Sequence, residues 1–303
     1  MKYLFFDIEC ANRLNKICEF GYVLTDENFK NPKMHDIPMS PGDKLNKYDQ
    51  FKSTEFNWAY DKDYYFECPK FPCYYEFLKT LFEDKNTLIF GWAVNNDIVY
   101  LGSEFKRYKL EPFSYKVYDI QKIMEYCFEQ KEKNQSLQNA FKKLCPKNEF
   151  VKLQPHLSRD DACMSMRILQ ELLKKLEMSV NEIIEICPEC AYDANEYLKF
   201  KESQKLWKKF VKNNNASNID ESNGKLCTIS KKIIENKNVL QEVINYILSN
   251  NFIPCDSTKV ANIIIVFDEN DKQNLIKSFK NHYDGEFILY EKIEQLQKST
   301  IPN

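Results

Sequence analysis

The order in which residue periodicity changes along this chain constrains its fold more than any other feature. Tyr3 to Asp7 and Ile17 to Thr25 are aromatic and β-branched runs joined by a short polar turn. A third strand is expected near Met34 to Met39, closed by the turn Ser40-Pro41-Gly42-Asp43. Beyond Pro72, helical patterns alternate with short apolar runs. The helices are expected at Tyr74 to Phe82, Asn95 to Phe105, Ile120 to Glu129, Ser136 to Leu144 and, most strongly amphipathic, Ser158 to Met178. The runs Thr87 to Gly91 and Lys116 to Tyr118 read as strands between them. A meander followed by such alternation buries its apolar stripes as a mixed sheet flanked by helices, so the first part of the chain is expected to be α/β.

At 303 residues the chain has room for one large or two ordinary domains. Its 43% hydrophobic and 29% charged residues are those of a soluble globular protein. No apolar run approaches a membrane span, and the N-terminus reaches a carboxylate at Asp7 too early for a secretory signal; a cytoplasmic protein with no membrane partner is expected. The eleven cysteines lack framework spacing and read mostly as buried reduced thiols. Cys187 and Cys190 form the single Cys-x-x-Cys, and without a second pair a zinc module is the weaker reading. A net charge of -2 gives no global attraction to polyanions, so any such site must be local.

The polar, aromatic stretch from Gly42 to Pro72, with Tyr48, Phe51, Phe56, Trp58, Tyr60, Tyr64, Tyr65 and Phe66, reads as a loop covering the core in preference to a base-stacking surface. From Val180 to Lys212 the pattern is helical and increasingly basic, with Lys199, Lys201, Lys205, Lys208, Lys209 and Lys212 around Phe200, Trp207 and Phe210. A solvated lysine face over an aromatic packing stripe is preferred there to a phosphate-backbone site. The Asn- and Ser-rich run Asn213 to Asn223 reads as a linker. The expected division is residues 1–178, a basic connector and linker over 179–223, and a second domain over 224–303.

Chemistry enters with Asp7 and Glu9. Residues i and i+2 of a strand share a face, so the two carboxylates project together, and like charges held that close call for a cation between them. Alone, the pair is also what a solvated strand end supplies. Two further acids give it meaning: Asp97, at the opening of a helix after the Thr87 to Gly91 run, and Asp161 in His156-Leu157-Ser158-Arg159-Asp160-Asp161, at the start of the long amphipathic helix.

With Asp-x-Glu on the first strand, an Asp after a strand and its turn, and His-x-x-x-x-Asp opening the last helix, residues 1–178 resemble the DEDDh 3′-to-5′ exonucleases, the group that includes the proofreading epsilon subunit of bacterial replicative polymerases. The resemblance implies a ribonuclease-H-like fold, with Asp7, Glu9, Asp97 and Asp161 binding two divalent ions, Mg2+ or Mn2+, and His156 as general base. The chemistry suits those residue types. Phosphodiester hydrolysis needs an activated water and charge stabilisation on the attacking and leaving oxygens, which two ions about 4 Å apart supply. Oxygen ligands suit magnesium, and imidazole titrates near neutral pH. The family spacing selects Asp161 over Asp160, which lies on another side of the helix.

Two departures bear on substrate preference. Cys10 stands where the family has Thr after Asp-x-Glu, and with Ile8 it is where the terminal nucleotide is expected to lie. Trp92 to Asp97 replaces the common His-Asn-x-x-Phe-Asp and keeps only its Asp.

Beyond Gly224 the pattern restarts. Strands are expected at Lys225 to Ile229, Phe252 to Cys255, Ala261 to Phe267 and Glu286 to Tyr290, with helices at Val239 to Leu248, Lys272 to Phe279 and Glu291 to Leu296, which together imply a small parallel sheet. That order and the phrase Ala261-Asn262-Ile263-Ile264-Ile265-Val266 resemble a BRCT domain, a module of repair and replication proteins, although its usual Gly-Gly and last-helix Trp are absent. Such a module implies a protein partner. Ser230 with Lys272 or Lys277 are conceivable phosphate ligands, and ordinary surface residues are the preferred reading. The whole implies a magnesium- or manganese-dependent exonuclease that releases nucleoside 5′-monophosphates from a nucleic-acid 3′ end, single-stranded DNA being favoured. An exoribonuclease, or a factor that kept the fold and lost turnover, are the alternatives.

Overall fold

A computed structural model of the chain describes residues 1–12, 14–45, 58–128, 135–146, 152–214, 224–279 and 283–299. The chain forms two compact units, Met1–Tyr197 and Leu198–Asn303. Of the stretch read as a connector, residues 179–197 belong to the first unit and 198–214 to the second. The linker positions 215–223, and Tyr48, Phe51 and Phe56 of the aromatic stretch, lie outside the described residues.

The first unit is built on a six-stranded sheet of order β3-β2-β1-β4-β5-β6. Strands β1 (Lys2–Cys10), β2 (Ile17–Asp26) and β3 (Lys33–Pro38) form the antiparallel meander. Strands β4 (Thr87–Gly91) and β5 (Lys116–Asp119) continue it in parallel from β1. This is the mixed α/β sheet flanked by helices that the sequence implies. The aromatic stretch carries α1 (Lys62–Glu67), and α2 (Tyr75–Phe82), α3 (Asn95–Tyr108), α4 (Ile120–Cys127), α5 (Leu137–Leu144) and α6 (Ser158–Leu176) follow.

The helical reading of Val180 to Lys212 is corrected. Helix α7 (Val180–Ile186) stops at Cys187 because Pro188 follows, and proline disfavours helical backbone in the residue before it. The chain then makes a 3-10 turn and adds a short strand, β6 (Ala191–Asp193), antiparallel to β5, before α8 (Ala194–Asn214) begins. An edge strand of three residues is too short to give a periodicity.

The two faces of the sheet have separate aromatic cores. On one, Tyr3 and Phe5 pack with Phe29 and Phe90 in the same core as Ile168, Leu169 and Leu172 of α6. On the other, Phe6 packs on Phe20 and Phe82, with Phe113 and Phe105 behind them. Strand alternation therefore sends Asp7 and Glu9, in step with Tyr3 and Phe5, to the α6 side. The described part of the aromatic stretch covers the core, as expected: Tyr65 is fully buried, against Ala11 and Cys18, with Trp58 and Tyr60 beside it.

The second unit holds a four-stranded parallel sheet of order β10-β9-β7-β8, from β7 (Leu226–Ile229), β8 (Ile253–Pro254), β9 (Ile263–Val266) and β10 (Glu286–Leu289). Helices α9 (Lys231–Glu235) and α10 (Lys237–Ser249) separate the first two strands, α11 (Glu269–Ser278) the last two, and α12 (Tyr290–Ser299) follows. Among the described residues no helix is long and apolar enough to cross a membrane.

Candidate metal centre

The expected site residues converge where the N-terminus of α6 meets the meander. Strand pairing sets Asp7 opposite Gly21 and Glu9 opposite Glu19, while Gly21 is in turn opposite Asp36. Paired residues of antiparallel strands point to the same side. Asp7, Glu9, Glu19 and Asp36 therefore all face α6, whose first turn adds Asp160 and Asp161. The positive end of a 19-residue helix over this acidic surface is an electrostatically favourable arrangement.

Gly21 allows the approach. A Cβ built on it would lie 2.0 Å from the Arg159 nitrogen and 2.1 Å from the Ser158 carbonyl carbon, so only a residue without a side chain lets the helix backbone descend this far. Three bonds then hold the helix start. Ser158 N donates to Glu19 Oε1 at 2.6 Å, Ser158 Oγ donates to Asp36 Oδ1 at 3.0 Å, and the Tyr65 hydroxyl donates to Glu19 Oε2 at 2.9 Å. The Tyr60 hydroxyl donates to Asp36. Glu19 is pushed up to about 7 by burial and then by the Asp36 charge, with the bonds from Ser158 and Tyr65 opposing. Tyr65→Phe would strip one donor from a buried carboxylate, a loss of about 1–3 kcal/mol. Urea unfolding should move to lower denaturant; an unchanged midpoint would mean that this bond contributes nothing.

Glu9, His156 and Asp161 come together so that one ligand atom from each lies within 4.8 Å of the others. His156 Nδ1 is 3.6 Å from Glu9 Oε1, and its ring is half exposed. Its backbone sits at φ 67, in the left-handed region, and its N–H donates to Asp161 Oδ2 at 3.3 Å, so one carboxylate fixes the turn that presents the imidazole. Asp7 and Asp97 stand outside that tight triplet. Asp97 is buried in the first turn of α3, and its Oδ1 accepts the Ile8 N–H at 3.1 Å. Asp160 faces elsewhere, its carboxylate taken by Gln154 N at 2.8 Å and Arg159 Nε at 3.0 Å.

The electrostatics of the cluster call for a cation. Burial pushes the Asp7 carboxyl well above the usual range, and the charges of Asp161, Asp97, Glu9 and Glu19 add to it. Burial and the Glu9 charge also raise Asp97. Asp161 is raised to about 7 by burial and the Glu9 charge, with His156 opposing. Asp161 Oδ1 is buried and receives no hydrogen bond from the described residues. A buried carboxylate oxygen without a donor, among carboxylates that repel one another, fits a hard divalent ion held through oxygen, as magnesium or manganese would be. No such group forms around Cys187 and Cys190 among the described residues; both are buried free thiols.

Several supporting residues are invisible to motif spacing. Asp119, at the end of β5, accepts Ala93 N at 3.0 Å and Gln121 N at 3.0 Å. It thereby holds the left-handed turn at Ala93 (φ 52) that leads into α3, and also caps α4. An Asp between a strand and a helical pattern was a readable cap signal. Glu19, in the apolar run Ile17-Cys18-Glu19-Phe20, was readable as a buried charge needing partners; Gly21 and Asp36 gave no signal.

No family model matches the chain, and no curated protein matches it. Among solved structures, the nuclease domain of 3′hExo, a DEDDh family member bound to rAMP, is similar at 15% identity and a TM-score of 0.42, over 57% of this chain and 91% of that one. Cell-death related nuclease 4 is similar at 16% identity and a TM-score of 0.39, over 58% and 64%. Exonuclease I in its apo form is similar at 12% identity and a TM-score of 0.43, over 68% of this chain but 46% of that one.

Proposed function

We propose that this protein is a metal-dependent nuclease that hydrolyses phosphodiesters at the 3′ end of a nucleic-acid strand and releases nucleoside 5′-monophosphates, with single-stranded DNA preferred to RNA. The observation that carries the reading is the junction of Glu9, His156 and Asp161, backed by the half-buried Asp7 and the buried Asp97, at one end of β1. In this reading Asp7, Glu9, Asp97 and Asp161 hold two divalent ions, Mg2+ or Mn2+, which when bound stabilise charge on the attacking and leaving oxygens. His156 takes the proton of the attacking water. Its Nδ1 faces Glu9 Oε1 at 3.6 Å, so the imidazolium that forms meets a carboxylate. Asp97, by accepting the Ile8 N–H, ties the start of α3 to the strand. Ile8 is buried and its side chain alternates away from Asp7 and Glu9, so of the two residues expected at the end of the substrate only Cys10 stays in this reading.

The parallel sheet of the second unit supports a BRCT-like interaction module, and with it the preference for DNA. A phosphate-binding role for Ser230 and Lys272 has no support, since Ser230 Oγ donates to Asp271 Oδ2 at 2.5 Å and Lys272 Nζ lies 3.3 Å from Glu269 Oε1.

The test is digestion of matched 5′-labelled DNA and RNA strands with Mg2+ or Mn2+, followed by removal of the ion with EDTA. Stepwise shortening from the 3′ end that EDTA stops is expected. Binding without shortening under any of these conditions would overturn the reading, and faster loss of RNA would reverse the substrate preference. His156→Gln is expected to lower turnover by about 10²–10⁴ and to flatten its pH dependence near neutrality while ion binding persists. A wild-type rate and pH profile would remove His156 from the chemistry.

A further inference from the structure

Helix α8 carries a second feature suited to nucleic acid, on residues of the second unit and distinct in the chain from the carboxylates of the first. Within residues 198–214 there are six lysines and one carboxylate, Glu202, in a chain whose net charge is -2. Lys205, Lys208, Lys209 and Lys212 recur at i, i+3, i+4 and i+7, the spacing of one helix face, and all four are exposed. None of the four is ion-paired among the described residues. The four form a line of charge about 10 Å long at 1.5 Å per residue.

The opposite face settles which way the stripe looks. Trp207 and Val211 are buried, at 3% and 4% exposure, in the core formed with Cys227, Ile229, Ile263 and Ile265, and Phe210 packs against it. The helix is pinned by its apolar side, so the lysines cannot turn inward. The aromatics, committed to that core, are not free to stack on bases. What remains outside is a fixed row of ammonium groups with no hydrogen-bond acceptors among them, which can read charge but not sequence.

We propose that this stripe binds the sugar-phosphate backbone of single-stranded nucleic acid, independently of base sequence. The identity of the polymer rests on the nuclease reading above; the surface itself rests on α8. An ordinary solvated face mixes signs or pairs its lysines with carboxylates at i±4, and this one does neither over the four positions. A membrane occupant is disfavoured, because the apolar side that would enter lipid is already buried.

The experiment measures anisotropy of a labelled single-stranded oligonucleotide in EDTA, so that nothing is cut, over a range of salt. The K205Q/K208Q/K209Q/K212Q protein is expected to bind at least about tenfold more weakly, with a salt dependence shallower by about 2 to 3 in log K against log salt. The corresponding Lys→Arg protein should bind like wild type. Hydrolysis of the p-nitrophenyl ester of thymidine 5′-monophosphate, a single nucleotide without a neighbouring backbone, should be unchanged in both. Equal affinity and slope in the Gln variant would overturn the stripe and leave the nuclease reading standing. Weaker binding by the Gln variant, together with a wild-type protein that hydrolyses nothing with Mg2+ or Mn2+, would do the reverse.

Discussion

Asp7→Asn is expected to lower metal-dependent cleavage by about 10²–10³ and, in the same protein freed of metal, to raise thermal stability above pH 7. The two effects have one cause. Asp7 lies among Asp161, Asp97, Glu9 and Glu19, and its carboxyl is pushed well up by burial and by their charges. A carboxyl whose pKa is higher folded than unfolded favours the folded state while both states are protonated. It loses that contribution as pH rises through the folded value. For Asp161 the window runs from the ordinary 3.8 to about 7. The metal-free protein should therefore lose stability, on the order of a few kcal/mol, as pH rises across that interval. A divalent ion should restore it by binding only the folded state. The amide of Asn removes one charge without opening a cavity, which relieves the repulsion and weakens the hold on the ion. Melting curves at pH 5 and pH 8, with and without Mg2+, check this together with cleavage assays. Undiminished cleavage, or melting that ignores both pH and Mg2+, would remove Asp7 from a metal centre.

Gly21→Ala is expected to cost about 3 kcal/mol, the upper part of the overpacking range, and to reduce cleavage by about a hundredfold. A methyl group there meets the Ser158 and Arg159 backbone at 2.0 to 2.5 Å, and backbone cannot swing aside as a flexible side chain can. The start of α6 must lift, and Asp161 and the His156 turn lift with it. Displacement of about 1 Å is enough to disable a site whose ligands must converge. Gly42→Ala is the control. Unlike Gly21 it has positive φ, at 62, but its Cβ would meet only the Lys70 side chain at 3.5 Å. It should cost about 1 kcal/mol from backbone strain and leave cleavage intact. Wild-type unfolding by Gly21→Ala in urea would show that α6 does not depend on this contact.

The residues that were legible in the sequence are those whose meaning is local. Asp7 and Glu9 share a face because strand alternation has period two, and Asp97 and Asp161 open helices whose apolar periodicity is plain. Most of the strand and helix order of both units was readable for the same reason; the short helices α1, in the stretch read as a loop, and α9 were not, being too brief to show a period. Elements whose existence depends on a distant partner were not. Strand β6 is three residues long and exists by pairing with β5. The 3-10 turn at Pro188 hides inside a pattern whose composition looks helical on both sides.

From its own residues, then, the chain determines a meander followed by alternating strands and helices, two carboxylates on one face of its first strand, and two more at helix starts. Only the tertiary structure decides that the four meet. The strand register sets Gly21 opposite Asp7 and Glu19 opposite Glu9, and the missing side chain at Gly21 lets the α6 backbone reach the sheet. Glu19, Asp36 and Tyr65 then anchor the helix start through Ser158. The physical reason is that periodicity is written in neighbours a few residues apart, whereas close approach is a steric and hydrogen-bonding relation between residues far apart in the chain, as Gly21 is from Ser158, and nothing local records it.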